Sequence, residues 1–476
     1  MMKNHRSKRE TSFIARLVGC LCGCVFAVTS TQAQAPRFFG NAFFPTDTYV
    51  TAQTVADFNG DGIPDVATCN GYSPGTANIL IGNGDGTFRE ALSYDAGEGP
   101  EDIAAADFDG DGNLDIVVAD HGNNFDDPLY GGTVVSLQYG NGDGTFRDAS
   151  LETGIAKAER TYSMTSIAAD LNEDGWTDLY VASDSTPSLL LLNRHNSVFS
   201  EEGAERGVAF SADGAEQAGM GIAVGDFDLD GKLDIFKTHF SDDTNVLYKN
   251  DGKGNFTDVT LASGFGVETR YTCWGTGFAD FDNNGWPDLA IVTGSVYPEV
   301  ERGFPSYPLK TPRFIFRNLG NGKFEELIEE AGPGIAEPHC SRGCAFGDFD
   351  NDGDVDMVVI NLNEPPSLLR NDVRNDHKWL KVFLIGTQSN RSAIGTRVIA
   401  KYGDKVQAQA VMGQSSFYSA NDRRLHFGLG DSTHADLEIH WTNGLVEHFT
   451  AVEANRLVTI REGKGITKSI LPTQAK

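Results

Sequence analysis

Residues 57–65 read DFNGDGIPD. The same nine-residue pattern, Asp-x-[Asp/Asn]-x-[Asp/Asn]-Gly-x-x-Asp, returns as DFDGDGNLD (107–115), DLNEDGWTD (170–178), DFDLDGKLD (226–234), DFDNNGWPD (280–288) and DFDNDGDVD (348–356). One copy is weak evidence for a metal loop. Six copies at near-regular spacing point to one chemistry and one architecture. Ca²⁺ is a hard cation that takes about six to eight oxygens in a flexible shell. Oxygens at positions 1, 3 and 5 converge when the backbone curls, and glycine at position 6 supplies the sharp turn. Position 7 offers its backbone carbonyl, and the carboxylate at position 9 closes the far side.

The expected ligands are Asp57, Asn59, Asp61, Ile63 and Asp65 in the first loop, and Asp107, Asp109, Asp111, Asn113 and Asp115 in the second. The third offers Asp170, Asn172, Asp174, Trp176 and Asp178, and the fourth Asp226, Asp228, Asp230, Lys232 and Asp234. The fifth offers Asp280, Asp282, Asn284, Trp286 and Asp288, and the sixth Asp348, Asp350, Asp352, Asp354 and Asp356. Asn59, Asn172 and Asn284 stand where other loops have Asp and remain oxygen donors. Mg²⁺ fits less well, because it demands octahedral geometry and keeps its water. About six Ca²⁺ ions are therefore expected.

An EF-hand would need Glu at position 12 and a helix on each side. Position 12 here is Thr68, Val118, Val181, Lys237, Ile291 and Val359. The loops run instead into β-prone stretches: IVVA from Ile116, LYVA from Leu179, LAIV from Leu289 and MVVI from Met357. Successive loops start 50, 63, 56, 54 and 68 residues apart, a period that marks a repeated supersecondary unit. A turn signature follows each of the first five: NGDGTF at Asn83 and Asn141, NRHNSVF at Asn193, NDGKGNF at Asn250 and NLGNGKF at Asn318. Each unit then reads strand, calcium loop, strand, outer strand, turn, strand.

Repeated four-stranded antiparallel blades make a β-propeller, since one blade cannot bury both its faces alone. The fold class is all-β, with six blades favoured and seven the alternative, over residues 36–374. The sixth unit stops after LLRND (368–372), and RFFGNAFF (37–44) is expected to supply its last strand. Two insertions, at about 120–133 and 294–313, interrupt the pattern. The second carries Tyr297, Phe304 and Tyr307 among prolines; that composition suits stacking on a sugar ring or a peptide, or a merely decorative loop. From residue 375 the loops are gone and apolar alternation continues, as in WLKVFLIG (379–386), DLEIHW (436–441) and LVTI (457–460). This predicts a small sandwich-like β domain over 375–465 and a tail over 466–476.

The formal net charge is −29. Residues 1–33 read as a secretory signal: Lys3, Arg6, Lys8, Arg9 and Arg16, an apolar stretch over 17–28, and Thr31-Gln32-Ala33 for cleavage. Lipidation at Cys20 is the alternative. Without the signal, 33 Lys and Arg face 66 Asp and Glu, or −33. This balance argues against nucleic acid or an anionic membrane as partner. The expected location is secreted, periplasmic or at the cell surface. Cys69, Cys273, Cys340 and Cys344 remain after cleavage; four are too few for a disulfide framework. Cys340 and Cys344 are either bridged or buried thiols.

The loops and turns resemble the FG-GAP/VCBS repeats of integrin-type propellers. SNRSAIGTRV (389–398), GQSSFYSAND (413–422), LHFGLGD (425–431) and IHWTNGLVE (439–447) resemble an ASPIC/UnbV domain. CSRGCAFGDFD (340–350) and GSVYPEV (294–300) also look typical of such propellers. The combination is similar to the secreted cartilage acidic protein family and its bacterial relatives. Thr442-Asn443 departs from it, since relatives often carry a proline there. The resemblance implies a secreted, calcium-binding, adhesive or matrix-associated protein, and it implies no established catalytic activity.

Three functions compete. The first is an exported binding module for a glycan or an extracellular protein, with structural calcium. Tenfold saturation of each site would contribute roughly 1.4 kcal/mol, or about 8 kcal/mol for six independent sites. The second is a propeller enzyme, a polysaccharide lyase or hydrolase. No nucleophile elbow, HExxH or phosphate loop supports it, and His121, His239, His339 and His426 are scattered. The third is an accessory subunit that docks through the C-terminal domain, with the polar stretch 415–422 as recognition loop.

Overall fold

The computed structural model describes residues 46, 49–71, 74–121, 135–158, 160–195, 198–266 and 269–472. Six antiparallel sheets follow in chain order. Blade 1 holds Val50–Ala56, Asp65–Asn70, Gly75–Leu80 and Leu92–Gly97. Blade 2 holds Pro100–Ala106, Asp115–Asp120, Val135–Gly140 and Phe146–Asp148. Blade 3 holds Ser163–Ala169, Asp178–Ser183, Leu189–Asn193 and Phe199–Glu201. Blade 4 holds Gly219–Gly225, Asp234–His239, Val246–Asn250 and Phe256–Asp258. Blade 5 holds Cys273–Ala279, Asp288–Thr293, Phe314–Asn318 and Phe324–Leu327. Blade 6 has three strands among the described residues, Ser341–Gly347, Asp356–Asn361 and Ser367–Leu369. The segment expected to complete it, 37–44, lies outside the described residues, as do the signal segment and most of the first insertion.

Each Asp-rich loop joins the first strand of its blade to the second. The register is the same every time: a small residue pairs with the ninth-position Asp, as in Ala56 with Asp65, Gly225 with Asp234 and Gly347 with Asp356. Small residues recur because the inner strands crowd together at the centre. At Gly277 a Cβ would stand 2.2 Å from the ring of Phe346 in the next blade. Aliphatic and aromatic side chains from neighbouring blades form the core between sheets.

The seam between blades 6 and 1 differs from the rest. Val55 of blade 1 is 43% exposed and Phe349 of the sixth loop 45%. Residues 412–413 and 420–424 of the C-terminal domain line the cleft between them. That domain is a pair of four-stranded sheets. One orders Leu425–Gly430, Lys378–Ile385, Arg456–Arg461 and Gly465–Ile470; the other orders Lys405–Ala410, Arg397–Tyr402, His434–His440 and Val446–Glu453. The strand Gly465–Ile470 takes in residues that the sequence assigns to the tail. Its side chains are almost all exposed, so it shows no apolar alternation, and backbone pairing with Arg456–Arg461 places it.

The four described cysteines are buried free thiols, which decides between the two readings of Cys340 and Cys344. Among the described residues no helix is long and apolar enough to cross a membrane.

Candidate metal centres and the domain that covers them

Position 1 of each loop is the hub. In the first loop Asp57 accepts the amides of Asp61 (Oδ1, 3.1 Å) and Gly62 (Oδ2, 2.6 Å). Asp226, Asp280 and Asp348 accept the corresponding amides at 2.6–3.1 Å, and Asp170 does so at 3.2 and 3.0 Å. In the second loop Asp107 takes Gly110 in place of Asp111, together with Gly112. Position 5 accepts the amide of position 7, from Ile63 on Asp61 at 2.7 Å to Asp354 on Asp352 at 2.9 Å.

Position 9 is more deeply set. Asp65 accepts the Phe58 amide on one oxygen and the Gly82 amide, at the end of the third strand, on the other. Asp115, Asp178, Asp234, Asp288 and Asp356 repeat both bonds. All six are buried.

Carboxylates gathered this way are out of balance without a cation. Burial, followed by repulsion from loop neighbours and opposed by the amides, pushes Asp107 and Asp226 up to about 7 and Asp288 to about 8. Asp354 also rises to about 7 and Asp170 to about 6. Asp115, Asp178, Asp234 and Asp280 are driven well above the usual carboxylate range, burial again being the largest cause. Four loops bring three carboxylates within 4.8 Å of one another: Asp107, Asp109 and Asp115; Asp226, Asp228 and Asp230; Asp280, Asp282 and Asp288; Asp348, Asp350 and Asp356. In the first and third loops the position-3 amide intervenes, Asn59 donating to Asp61 at 2.9 Å and Asn172 to Asp174 at 3.0 Å. In the fourth, Lys249 pairs with Asp228 and Asp230.

An all-oxygen donor set of this kind fits a hard divalent cation and no softer metal. The loop residues at positions 1, 3, 5, 7 and 9 would hold it. It would supply the positive charge that their carboxylates lack.

A second set of residues holds four of the loops, those of blades 2 to 5, from the following blade. Asn193, Asn250, Asn318 and Asn371 end, or immediately follow, the third strands of blades 3 to 6. Their amides donate to the carbonyls of Phe108, Leu171, Phe227 and Phe281, each in the loop of the preceding blade, at 2.7–2.8 Å. Asn250 and Asn318 also reach Leu233 O and Pro287 O in their own loops. An aromatic contact accompanies this staple: Phe146 sits edge-on to Phe58, Phe199 to Phe108, and Phe324 is tilted against Phe227. The turn motifs contain Asn193, Asn250, Asn318 and these phenylalanines, but turn chemistry alone says nothing of partners 79 to 91 residues away.

The loop face is covered by the C-terminal domain. From it, residues 412–424 enter the channel between the inner strands. Ser416 pairs with Ile222 in both directions, at 3.1 and 2.8 Å, and its hydroxyl accepts the Thr276 amide. Gln414 donates to Asp102 at 2.7 Å, and Phe417 packs on Trp274 with Met220. Residues 415–417 are thus buried and 418–422 half-buried against the propeller, so the stretch is not a freely solvent-facing recognition loop. Its polar groups are matched to inner-strand atoms, which composition cannot distinguish from matching to solvent.

Glu462 was likewise hidden in the sequence. It accepts the amides of Thr387, Gln388 and Ser389 at 2.6–2.9 Å. Burial alone would raise its pKa, but these amides outweigh burial and hold it below the usual range. On the opposite side of the propeller, the second insertion forms the helix Pro298–Gly303. Tyr307 is tied to Asp242 there, while Tyr297 and Phe304 are 64% and 66% exposed. His121, His239, His339 and His426 do not assemble: His239 is buried beside Lys237, His339 pairs with Glu364, His426 meets Asn283, and His121 lies on Tyr162.

Two family models match parts of the chain. The family described as FG-GAP-like repeat matches residues 57–118, 170–237 and 238–291, and the family ASPIC and UnbV matches 386–467. Cartilage acidic protein 1 of Homo sapiens is 26% identical over 356 residues, 72% of this chain and 50% of that protein. The Mus musculus protein of the same name is 26% identical over 358 residues, 72% of this chain and 51% of its own. The chain thus spans about half the length of these curated relatives. Among solved structures, the BP39L lectin of Burkholderia pseudomallei aligns with TM-score 0.42 and 9% identity, covering 89% of this chain and 99% of the lectin. A lectin of Agrocybe aegerita that recognises non-reducing terminal N-acetylglucosamine aligns with TM-score 0.40 and 18% identity, over 68% and 81%. The chain is an FG-GAP-repeat β-propeller protein ending in an ASPIC/UnbV domain, similar to the cartilage acidic proteins.

Proposed function

We propose that this protein is an exported binding module, a calcium-braced β-propeller that engages a glycan or an extracellular protein. The observation that carries the reading is the repeated gathering of three carboxylates within 4.8 Å in four equivalent loops. Charges of one sign at that density, with at least one buried carboxylate in each group, call for a resident cation, and the all-oxygen set selects Ca²⁺. The first, third and fifth loops, with Asn59, Asn172 and Asn284, each carry one carboxylate fewer; in the first and third the position-3 amide also bonds the position-5 carboxylate, and these two are the weaker sites of the six. The relatives' name sets them in cartilage and marks them as acidic, in keeping with the net charge of this chain. For the ligand face we favour the side opposite the loops, where Tyr297 and Phe304 are exposed, because the loop side is covered. Among the described residues no constellation of nucleophile and base supports a catalytic alternative.

The test is thermal unfolding of the secreted chain with Ca²⁺ or EDTA, together with a count of bound metal. A large calcium-dependent rise in Tm with about six ions sustains the reading. Absence of bound metal, with the same Tm in both buffers, sinks it. Glycan arrays with a Tyr297→Ala/Phe304→Ala variant as control then test the ligand face.

A further inference from the structure

Every one of the six loops is touched by the C-terminal domain. Ser392 accepts the amide of Asp57 at 3.0 Å. At Gly112 of the second loop, a Cβ would stand 2.7 Å from the Gln388 carbonyl. Arg397 reaches Glu173 of the third loop and the Gly231 carbonyl of the fourth. The Ala408 amide donates to Asp226 Oδ2 at 2.9 Å. In the fifth loop Tyr402 donates to the Gly285 carbonyl at 3.1 Å and Lys405 to that of Asn284 at 2.7 Å. In the sixth, buried Lys381 pairs with Asp348 Oδ2 at 2.5 Å and Arg424 reaches the Asp348 carbonyl.

In the fourth, fifth and sixth loops these contacts read the shape of the loop: its outward carbonyls and the outer oxygen of its first Asp, which in the fourth and sixth already takes the position-6 amide. Only a curled loop presents those atoms together. A loop whose carboxylates repel one another without a cation loosens and loses them.

We propose that metal loading of the six loops controls docking of the C-terminal domain. Loaded loops hold the domain on this face with residues 412–424 in the channel, and loss of the metal releases that segment while the blades stay folded. The proposal rests on the calcium reading above. Coupling of this kind is reciprocal, so the docked domain must also tighten metal binding by the same factor.

The experiment is hydrogen exchange on the full chain in Ca²⁺ and in EDTA, with bound metal counted in both. With metal, the amides of 413–422 exchange slowly, Ser416 among them. Without it they exchange at least about tenfold faster, while Tyr180 and Leu190 of blade 3 stay protected. The second arm is Tyr402→Phe/Lys405→Met, which removes two donors to loop carbonyls and no carboxylate. Its calcium affinity should fall by about fivefold or more, within the usual span of coupling energies. If metal leaves and 413–422 stays protected, the proposal fails while the calcium reading stands. It also fails if plug and blades lose protection together, or if the double variant binds calcium as the wild type does. A metal count of zero in calcium buffer overturns the calcium reading and takes this proposal with it.

Discussion

Asn318 offers the sharpest test of how the propeller is held together. Its side chain donates to Phe227 O (2.7 Å) and Pro287 O (2.9 Å) and accepts the amide of Gly320 (3.0 Å). Asn318→Ala strands two buried carbonyls and one partly buried amide. An unmet buried polar group costs about 1–3 kcal/mol. Carbonyls with a second lone pair sit at the low end of that range, so the sum is about 3–5 kcal/mol. That is a large share of the roughly 5–15 kcal/mol that keeps a typical domain folded. Asn318→Asp separates hydrogen bonding from volume. It preserves size and the acceptor for Gly320 but turns an oxygen toward two carbonyls beside Asp288, so it should cost at least as much as the alanine. Urea unfolding in saturating Ca²⁺ measures both. Calcium titration should show weakening at the fourth and fifth loops, which this residue joins. A cost below about 1 kcal/mol for Asn318→Ala, or a neutral Asn318→Asp, would refute the idea that the staple carries load between blades.

Three further outcomes follow from single residues. Burial, opposed by the Ser166 amide and hydroxyl, pushes Asp102 up to about 7, above its unfolded value. Its stabilising contribution is therefore whole below about pH 4 and fades as pH climbs through 7; in saturating Ca²⁺, Asp102→Asn should flatten the fall in stability across that window, and an unchanged slope counts against the assignment. Glu462 has the opposite sign, its folded pKa being depressed, so its contribution is present above the unfolded value and lost as acid titrates the folded group. Glu462→Gln should cost about 2–4 kcal/mol at pH 7, with the difference closing at low pH in the same unfolding assay. Cys69, Cys273, Cys340 and Cys344 are buried thiols, with burial pushing Cys69 and Cys344 up to about 12; a thiol reagent should label none of the four in the native protein and all four after denaturation.

The parts of this molecule that repeat were legible in its sequence. Asp and Gly at fixed offsets declare a tight oxygen-lined turn, and the β-branched runs after Asp115, Asp178, Asp288 and Asp356 declare the strands into which each turn feeds. Blade order follows from that period. What escaped is whatever depends on a partner far along the chain. Asn193, Asn250 and Asn318 stood in plain view at the head of each turn motif, yet a turn explains an asparagine well enough that nothing prompts a search for a second role. The stretch 415–422 looked solvent-facing because its hydroxyls and amides are polar, although Phe417 in its midst was a sign of burial. Glu462 gave no local signal at all, since the three amides it binds lie 73 to 75 residues earlier.

The staple has a direction. Each asparagine secures the loop of the blade made just before it, and none among these four reaches forward. During synthesis, a loop is therefore left unlatched until the next blade's third strand has emerged, and the propeller is locked stepwise from its N-terminal side. The sixth loop has no following blade. Lys381, Arg424 and the strand running through Trp379 take that place, so the last blade is latched only when the C-terminal domain arrives. A chain cut near residue 374 would lack the latch for its final loop and the wedge for its seam at once, which makes the C-terminal domain the act that completes the ring rather than an appendage to it.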